Sequence, residues 1–268
     1  MNAVLQKGLS LVELMVALAI GMFLVLGIIQ VFLTSRDSYS VNEGIARLQE
    51  NGRFSLDFLT QSLRQAGYID PKTIDTLPYA IIPPKDKGCS FDTSYCTADA
   101  KDTDRISLAF QPPINADGKR YDCAGKVVSD NQGVIINVYT VVETPTETNP
   151  TAKSLACKSK EYDGKETITS TYADGILVEG VDTLQIQYGL ADKINSESVT
   201  RYVSANDVDN WNIVRSVRVA VIVNSSLNST QASEKVFYLF DNAPFKYNDK
   251  QLRQVFTTTV QIKNVNLR

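Results

Sequence analysis

KGLSLVELMVALAIGMFLVLGIIQVF, Lys7 to Phe32, is apolar almost throughout and yet carries one carboxylate, Glu13, near its start. A charged side chain at the centre of a bilayer costs on the order of a few kcal/mol, so a Glu inside a membrane-length segment is rare and usually functional. Residues 14 to 35, between Glu13 and Arg36, form an uncharged run of 22, which meets the roughly 20-residue requirement for a spanning helix. The competing reading is a cleaved secretory signal, with Lys7 as its basic region and Ala17-Leu18-Ala19 as a small-x-small cleavage site. It would leave Glu13 in the middle of the apolar region and a mature chain that opens on the apolar stretch from Ile20 to Leu33. The spanning helix is preferred.

Beyond Arg36 the helix pattern continues. Val41, Ile45, Leu48, Gly52, Leu56, Leu59, Leu63 and Ala66 recur at spacings of three and four and share one face, while Arg47, Glu50, Arg53, Asp57 and Arg64 lie largely elsewhere. That pattern predicts an amphipathic helix docked on a body. Gly67 followed by Pro71 supplies the stop. From Leu9 to Gly67 a rise of about 1.5 Å per residue gives a rod of roughly 90 Å. No Pro interrupts it; Gly21 and Gly27 either soften the helix or serve as small packing residues in the membrane.

The remainder reads as β structure. Ile106, Leu108 and Phe110 alternate with Ser107 and Ala109; Leu184, Ile186 and Tyr188 alternate with Gln185 and Gln187; Val217, Val219, Val221 and Val223 alternate with Arg218, Ala220 and Ile222. A period of two predicts half-buried strands. Residues 134–142, 236–240 and 256–265 add candidates, separated by turn signals at Asp117-Gly118, Asp163-Gly164 and Asp174-Gly175. No helical run of comparable strength interleaves with them, so the strands are expected to be antiparallel and the class α+β. The stretches 83–88 and 143–150 read as surface loops.

Composition narrows the function. In 268 residues the formal charge is -3 and the pI about 5.2, so nucleic acid is not indicated as a partner. The chain has no His, which removes Ser-His-Asp and Cys-His catalysis and His-ligated zinc. No enzymatic activity and no cofactor are expected. The four cysteines, Cys89, Cys96, Cys123 and Cys157, fall in the presumed exported part and in loop-like surroundings. An even count in an oxidising compartment predicts disulfides, and Cys89 with Cys96 and Cys123 with Cys157 closes the shortest loops. Four free thiols and a zinc site are the alternatives, the latter without C-x-x-C spacing to support it. No metal site is expected.

Other motifs are weak. Asn115-Ala116-Asp117-Gly118 matches part of a calcium loop, but Pro113 and Ala124 occupy its first and last ligand positions, so an ordinary turn is expected. Asp99, Asp102 and Asp104 are read as a solvated acidic loop rather than a cation site. Asn224-Ser225-Ser226 and Asn228-Ser229-Thr230 match glycosylation sequons.

Lys7-Gly8-Leu9-Ser10-Leu11-Val12-Glu13-Leu14 resembles the class III signal of type IV pilins and type II secretion pseudopilins: a short basic leader ending in Gly, then an apolar helix with Glu fifth from the cut. Leu9 departs from the usual Phe at the first mature position but keeps its bulk and apolarity. Gln49-Glu50-Asn51-Gly52-Arg53-Phe54, Leu63-Arg64-Gln65-Ala66-Gly67-Tyr68 and the C-terminal Val255-Phe256-Thr257-Thr258-Thr259-Val260 with Lys263-Asn264 are similar to segments of the PilW family of type IV pilus minor pilins. The type II secretion pseudopilins of the GspJ kind are the alternative. A signal-anchored periplasmic enzyme or binding domain is a third class, for which no catalytic constellation is visible.

The resemblance implies a leader over 1–8, a transmembrane and filament-core helix over 9–35, its amphipathic continuation over 36–67 and a β-rich head over 68–268. It implies cleavage by prepilin peptidase between Gly8 and Leu9, N-methylation of Leu9, and Glu13 as the assembly carboxylate. The implied partners are other minor pilins, the major pilin, the inner-membrane assembly platform and a tip adhesin. The implied location is the bacterial inner membrane, crossed once with the head periplasmic, and then the pilus, at its tip.

Overall fold

One helix, α1 (Leu11–Gln65), runs unbroken through both Gly21 and Gly27 in the computed structural model, which describes residues 10–70, 79–128, 133–147, 149–162, 168–171, 175–240 and 242–264. Ser10 starts it: an extended backbone lets its side chain accept a hydrogen bond from the Glu13 N–H at 3.2 Å, satisfying one of the helix's open donors. At 55 residues the helix is about 80 Å long. It ends at Gln65, with Ala66 as the cap and Gly67 at φ 79°.

The docked face differs from the expected one in a way that packing explains. Leu48, Gly52, Leu59, Leu63 and Ala66 are buried, but Ile45 is exposed and Leu56 only partly covered. Gly44, Ser55 and Ser62 are buried in their place. Small residues let the helix backbone approach the sheets closely, and their hydroxyls are satisfied locally: Ser55 donates to the Asn51 carbonyl at 2.7 Å, and Ser62 shares a 2.6 Å hydrogen bond with Tyr139.

Two antiparallel sheets form the head. The first runs β1 (Arg105–Phe110), β2 (Val134–Glu143), β3 (Lys153–Tyr162), β4 (Ile168–Thr171), with β5 (Gly175–Glu179) also on β3. The second has the order β7 (Val199–Val203), β6 (Val181–Ala191), β8 (Val214–Phe237), β9 (Phe245–Gln261). The helix lies mainly against β8 and β9. Leu59 and Leu63 join Ile106, Leu108, Leu184, Ile186 and Val214, Val217, Val219, Val221 and Val223 of β8 in one core, so helix and both sheets bury a common apolar interior. The class is α+β.

The expectation of half-buried strands is corrected. Every position of β6 is buried, Gln185 and Gln187 included, and β8 is covered on both faces over most of residues 214–225. Val217, Val219, Val221 and Val223 face the main core. On the other face Ala220 and Ile222 pack with Leu239, flanked by Phe237, Phe240 and Phe245. The polar alternates are matched by loops: Gln185 donates to the Ala100 carbonyl and accepts from Asn242. Of residues 236–240 only Val236 and Phe237 are strand, as the end of β8; the chain turns beyond them, so this stretch is no separate strand. The turn signal at Asp163-Gly164, and Asp174, lie outside the described residues.

Candidate functional site

The amino-terminal site is only partly described. Gly8 and Leu9 lie outside the described residues; Glu13 sits in the first helical turn, where its backbone is held by Ser10 and its carboxylate is near the positive end of the helix. From Leu11 to Leu33 nearly every side chain is exposed: Leu11 by 74%, Phe23 by 76% and Phe32 by 67%. Exposed apolar surface on this scale marks a surface that meets lipid or protein, and the helix is long and apolar enough to cross a membrane.

The other half of the helix is clamped. A Cβ at Gly52 would overlap the Phe256 ring on β9. At the helix end the Asn264 Nδ2 donates to the carbonyls of Arg64 at 3.3 Å and Ala66 at 3.2 Å, capping acceptors that have no partner within the helix. A Cβ at Gly67 would strike the Asn264 carbonyl, and the positive φ there also favours glycine. Asn51 Nδ2 reaches the Glu179 carbonyl at 3.0 Å.

The cysteines are paired as Cys89–Cys96 and Cys123–Cys157, with Cα separations of 6.0 and 6.3 Å. Cys157 is not in a loop: it lies in β3 and faces Tyr139 of β2 in register. The second bridge therefore fastens the 121–127 loop to the first sheet. That loop is built around Asp122, whose Oδ1 accepts from the Ala124 N–H at 2.9 Å and the Lys126 N–H at 2.8 Å. Beside it, Asn137 Nδ2 donates to the Tyr139 hydroxyl at 3.4 Å. Desolvation pushes the Tyr139 phenol up to about 12, only partly offset by its bonds to Ser62 and Asn137. Asp122, Asn137, Ser62 and Tyr139 line one cleft of about 230 Å³. Sequence reading singled out none of the four. The available signals were Asp followed by Ala and Gly two and three residues on, and two polar groups at i and i+2 of a strand.

The reading of a solvated acidic loop fits Asp102, which is exposed, but is corrected for Asp104. Asp104 is 4% exposed; its carboxylate accepts from the Ala100 N–H at 3.0 Å and the Ile186 N–H at 2.7 Å, tying the first sheet to β6. Desolvation raises its pKa to about 7, against the pull of those two hydrogen bonds. Asp99 accepts from Asn206 at 3.1 Å. Asn115 to Lys119 is a turn, with Gly118 N–H donating to the Asn115 carbonyl. The Asn224 amide is buried and donates to Asp182 at 2.8 Å, so that sequon is closed in the folded chain; the Asn228 side chain lies outside the described residues. Among the described residues no three His, Cys, Asp or Glu side chains are placed to hold a metal ion.

An exposed apolar helix of spanning length that continues, without a break, as the docked spine of an antiparallel β head defines a pilin-type subunit, a structural protein. The profile of type IV pilus-assembly protein W matches residues 138–264, and that of the prokaryotic N-terminal methylation motif matches residues 5–29. No curated protein sequence matches the chain. Among solved structures it is similar to the type IV-like pilin TTHA1219 from Thermus thermophilus, at 13% identity and a TM-score of 0.48, over 82% of this chain and 98% of that one. The chain carries the PilW domain behind a prokaryotic methylation motif and is a type IV pilus minor pilin. It is membrane-anchored by its helix and is a component that joins other pilus subunits.

Proposed function

We propose that the chain is made as a prepilin with a leader over 1–8, anchored in the bacterial inner membrane by residues 9–35, with 36–67 as the docked helix and 68–268 as the periplasmic head. Prepilin peptidase cuts between Gly8 and Leu9, where a glycine gives the backbone the freedom a tight cleavage pocket needs, and Leu9 becomes the methylated terminus. The processed subunit then joins other minor pilins in the complex that primes the pilus, stays at the tip beneath an adhesin, and contacts the major pilin and the assembly platform. Glu13 takes part by pairing with a cationic amino terminus. The observation that carries this reading is the two-part helix: its first half is apolar and uncovered, and its second half is locked to the head by Phe256 and Asn264. Such a helix can leave lipid and enter a bundle without disturbing the fold.

Mass spectrometry of the membrane form tests the first step. A chain starting at Leu9 with one added methyl is expected, and Gly8→Val is expected to stay uncut, inserted and unassembled. An intact Met1 in a strain with active prepilin peptidase, or a start at Ile20, would overturn it. Deleting the gene tests the second step: loss of pili is expected, whereas intact pili with loss of protein secretion would move the chain to the secretion apparatus.

A further inference from the structure

We propose that the cleft beside Asp122 receives the cationic N–H group of a lysine or arginine side chain presented by a neighbouring pilus subunit; the source, though not the chemistry, rests on the pilus reading above. Asp122 and Asn137 are 7% and 2% exposed, and each has a side-chain oxygen with no hydrogen-bond partner: Asp122 Oδ2 and Asn137 Oδ1. Both unpartnered atoms are acceptors, and both residues line the same cleft. A buried acceptor left unpaired is costly, more so for a carboxylate. What the site lacks is a donor, and because one acceptor is a carboxylate, the fitting donor is a cation.

The acceptors are held in place before anything binds. Oδ1 of Asp122 is already used by the Ala124 and Lys126 N–H groups, the loop is closed by the Tyr121–Val127 bridge, and Cys123 is bonded to Cys157. Preorganisation of this kind lowers the cost of binding. The choice of a side chain over a free ion comes from the walls. The cleft, about 230 Å³, is bordered by Phe58, Pro112, Pro113 and Tyr121, and Phe58 is 41% exposed on the helix. An apolar approach leading to an anionic end suits the methylene stem and charged tip of lysine or arginine.

The test uses the full mature chain in detergent micelles, titrated with methylguanidinium chloride and followed by the backbone amide resonances of Ala124 and Lys126. Saturable shifts are expected, with no response to tetramethylammonium chloride, which carries the charge without N–H donors. Asp122→Asn keeps an oxygen for both loop N–H groups and is expected to weaken probe binding at least tenfold. Equal shifts with tetramethylammonium, shifts with calcium chloride but not methylguanidinium, or no shift would overturn the proposal. If Asp122→Asn fails to fold, Gln61→Lys decides: an ammonium supplied from the cleft's own wall is expected to raise Tm and block the probe, and a lower Tm with unchanged probe binding would count against the pocket. A photo-crosslinker at position 58 in assembled pili identifies the source. A cross-linked peptide from a pilus subunit, containing Lys or Arg and lost with Asp122→Asn, is expected; a cross-link indifferent to that substitution would overturn the subunit contact even where the probe binds. Absence of the chain from pili would defeat the pilus reading separately, since the titration is read on the isolated protein.

Discussion

Gly52 of the helix lies against the ring of Phe256 on β9, so close that a Cβ at position 52 would overlap three ring atoms. The two residues belong to the two family-like stretches, 49–54 and 255–260, and the contact is a physical reason for both. A phenylalanine projecting from the sheet needs a gap in the helix surface, and only glycine leaves one. Gly52→Ala is therefore expected to destabilise the head by about 1–2 kcal/mol: overpacking costs about 1–3, and the better helix propensity of alanine returns up to about 1. Thermal denaturation checks the magnitude. Phe256→Leu should remove the clash, so in that background Gly52→Ala is expected to be neutral or stabilising. An equal loss in both backgrounds would show that the ring is not the cause.

Much of this is legible in the sequence, because the helix is long and strongly periodic and a cleaved signal, the competing reading of the apolar run, would leave Ile20 to Leu33 at the start of the mature chain. Strands β1, β2, β6, β8 and β9 were found through their alternation or apolar runs. Strands β3, β4, β5 and β7 were missed: KSLACKSKEY, ITST, GILVE and VTRYV are short or charged, and burial of Lys160 and Glu161 in β3 comes from tertiary neighbours that no local pattern encodes. For the same reason the helix face was assigned from its large apolar residues, whereas the buried stripe depends on Gly44, Ser55 and Ser62. The cleft at Asp122 was invisible because it joins side chains from the helix, a loop and β2, whose proximity depends on the Cys123–Cys157 link and the sheet register.

That link should be the more stabilising of the two. It closes a loop of sequence separation 34, against 7 for Cys89–Cys96. The chain-entropy relation then gives about 4 kcal/mol for the longer loop and about 2 for the shorter. The paired substitutions Cys123→Ser with Cys157→Ser and Cys89→Ser with Cys96→Ser, compared by denaturant unfolding, should reproduce that order. The first pair should also loosen the Asp122 loop, seen as faster hydrogen exchange at Ala124 and Lys126. A larger loss from removing the 89–96 link would contradict the ranking.

Asp104 predicts a pH dependence. Its pKa is raised to about 7 by desolvation, while in the unfolded chain it would titrate near the ordinary 3.9. The folded protein therefore holds this proton more tightly. Stability from this group is fully present below about pH 4 and is lost as pH rises through about 7. At 1.36 kcal/mol per pKa unit the loss is on the order of a few kcal/mol. Asp182 contributes with the same sign, since burial raises its pKa despite Arg253 at 2.6 Å. Asp104→Asn will forfeit a hydrogen bond at every pH, so the informative quantity is the slope. Between pH 5 and 8 the unfolding free energy of the wild type should fall more steeply than that of Asp104→Asn; parallel curves would remove Asp104 as the cause.

Glu13 separates a local role from an assembly role. Its backbone N–H is held by Ser10, and its carboxylate is exposed in the first turn, where a negative charge favours the helix start whatever the protein does next. That contribution is worth about 0.3–1 kcal/mol and would be lost silently in Glu13→Gln, because the helix is 55 residues long and anchored to the head at its far end. Pairing with a cationic amino terminus in a poorly hydrated bundle has a different consequence. Removing one member of a desolvated ion pair leaves the other uncompensated, at a cost of about 3–5 kcal/mol, enough to reduce an association by two orders of magnitude or more. Glu13→Gln is therefore expected to be cleaved and membrane-inserted at wild-type levels, to unfold at the wild-type Tm, and yet to lose co-purification with its minor pilin partners. Glu13→Asp should restore partner capture in part, since it keeps the charge on a shorter arm. Normal piliation and normal partner capture by Glu13→Gln at native expression would reduce Glu13 to a helix-start carboxylate.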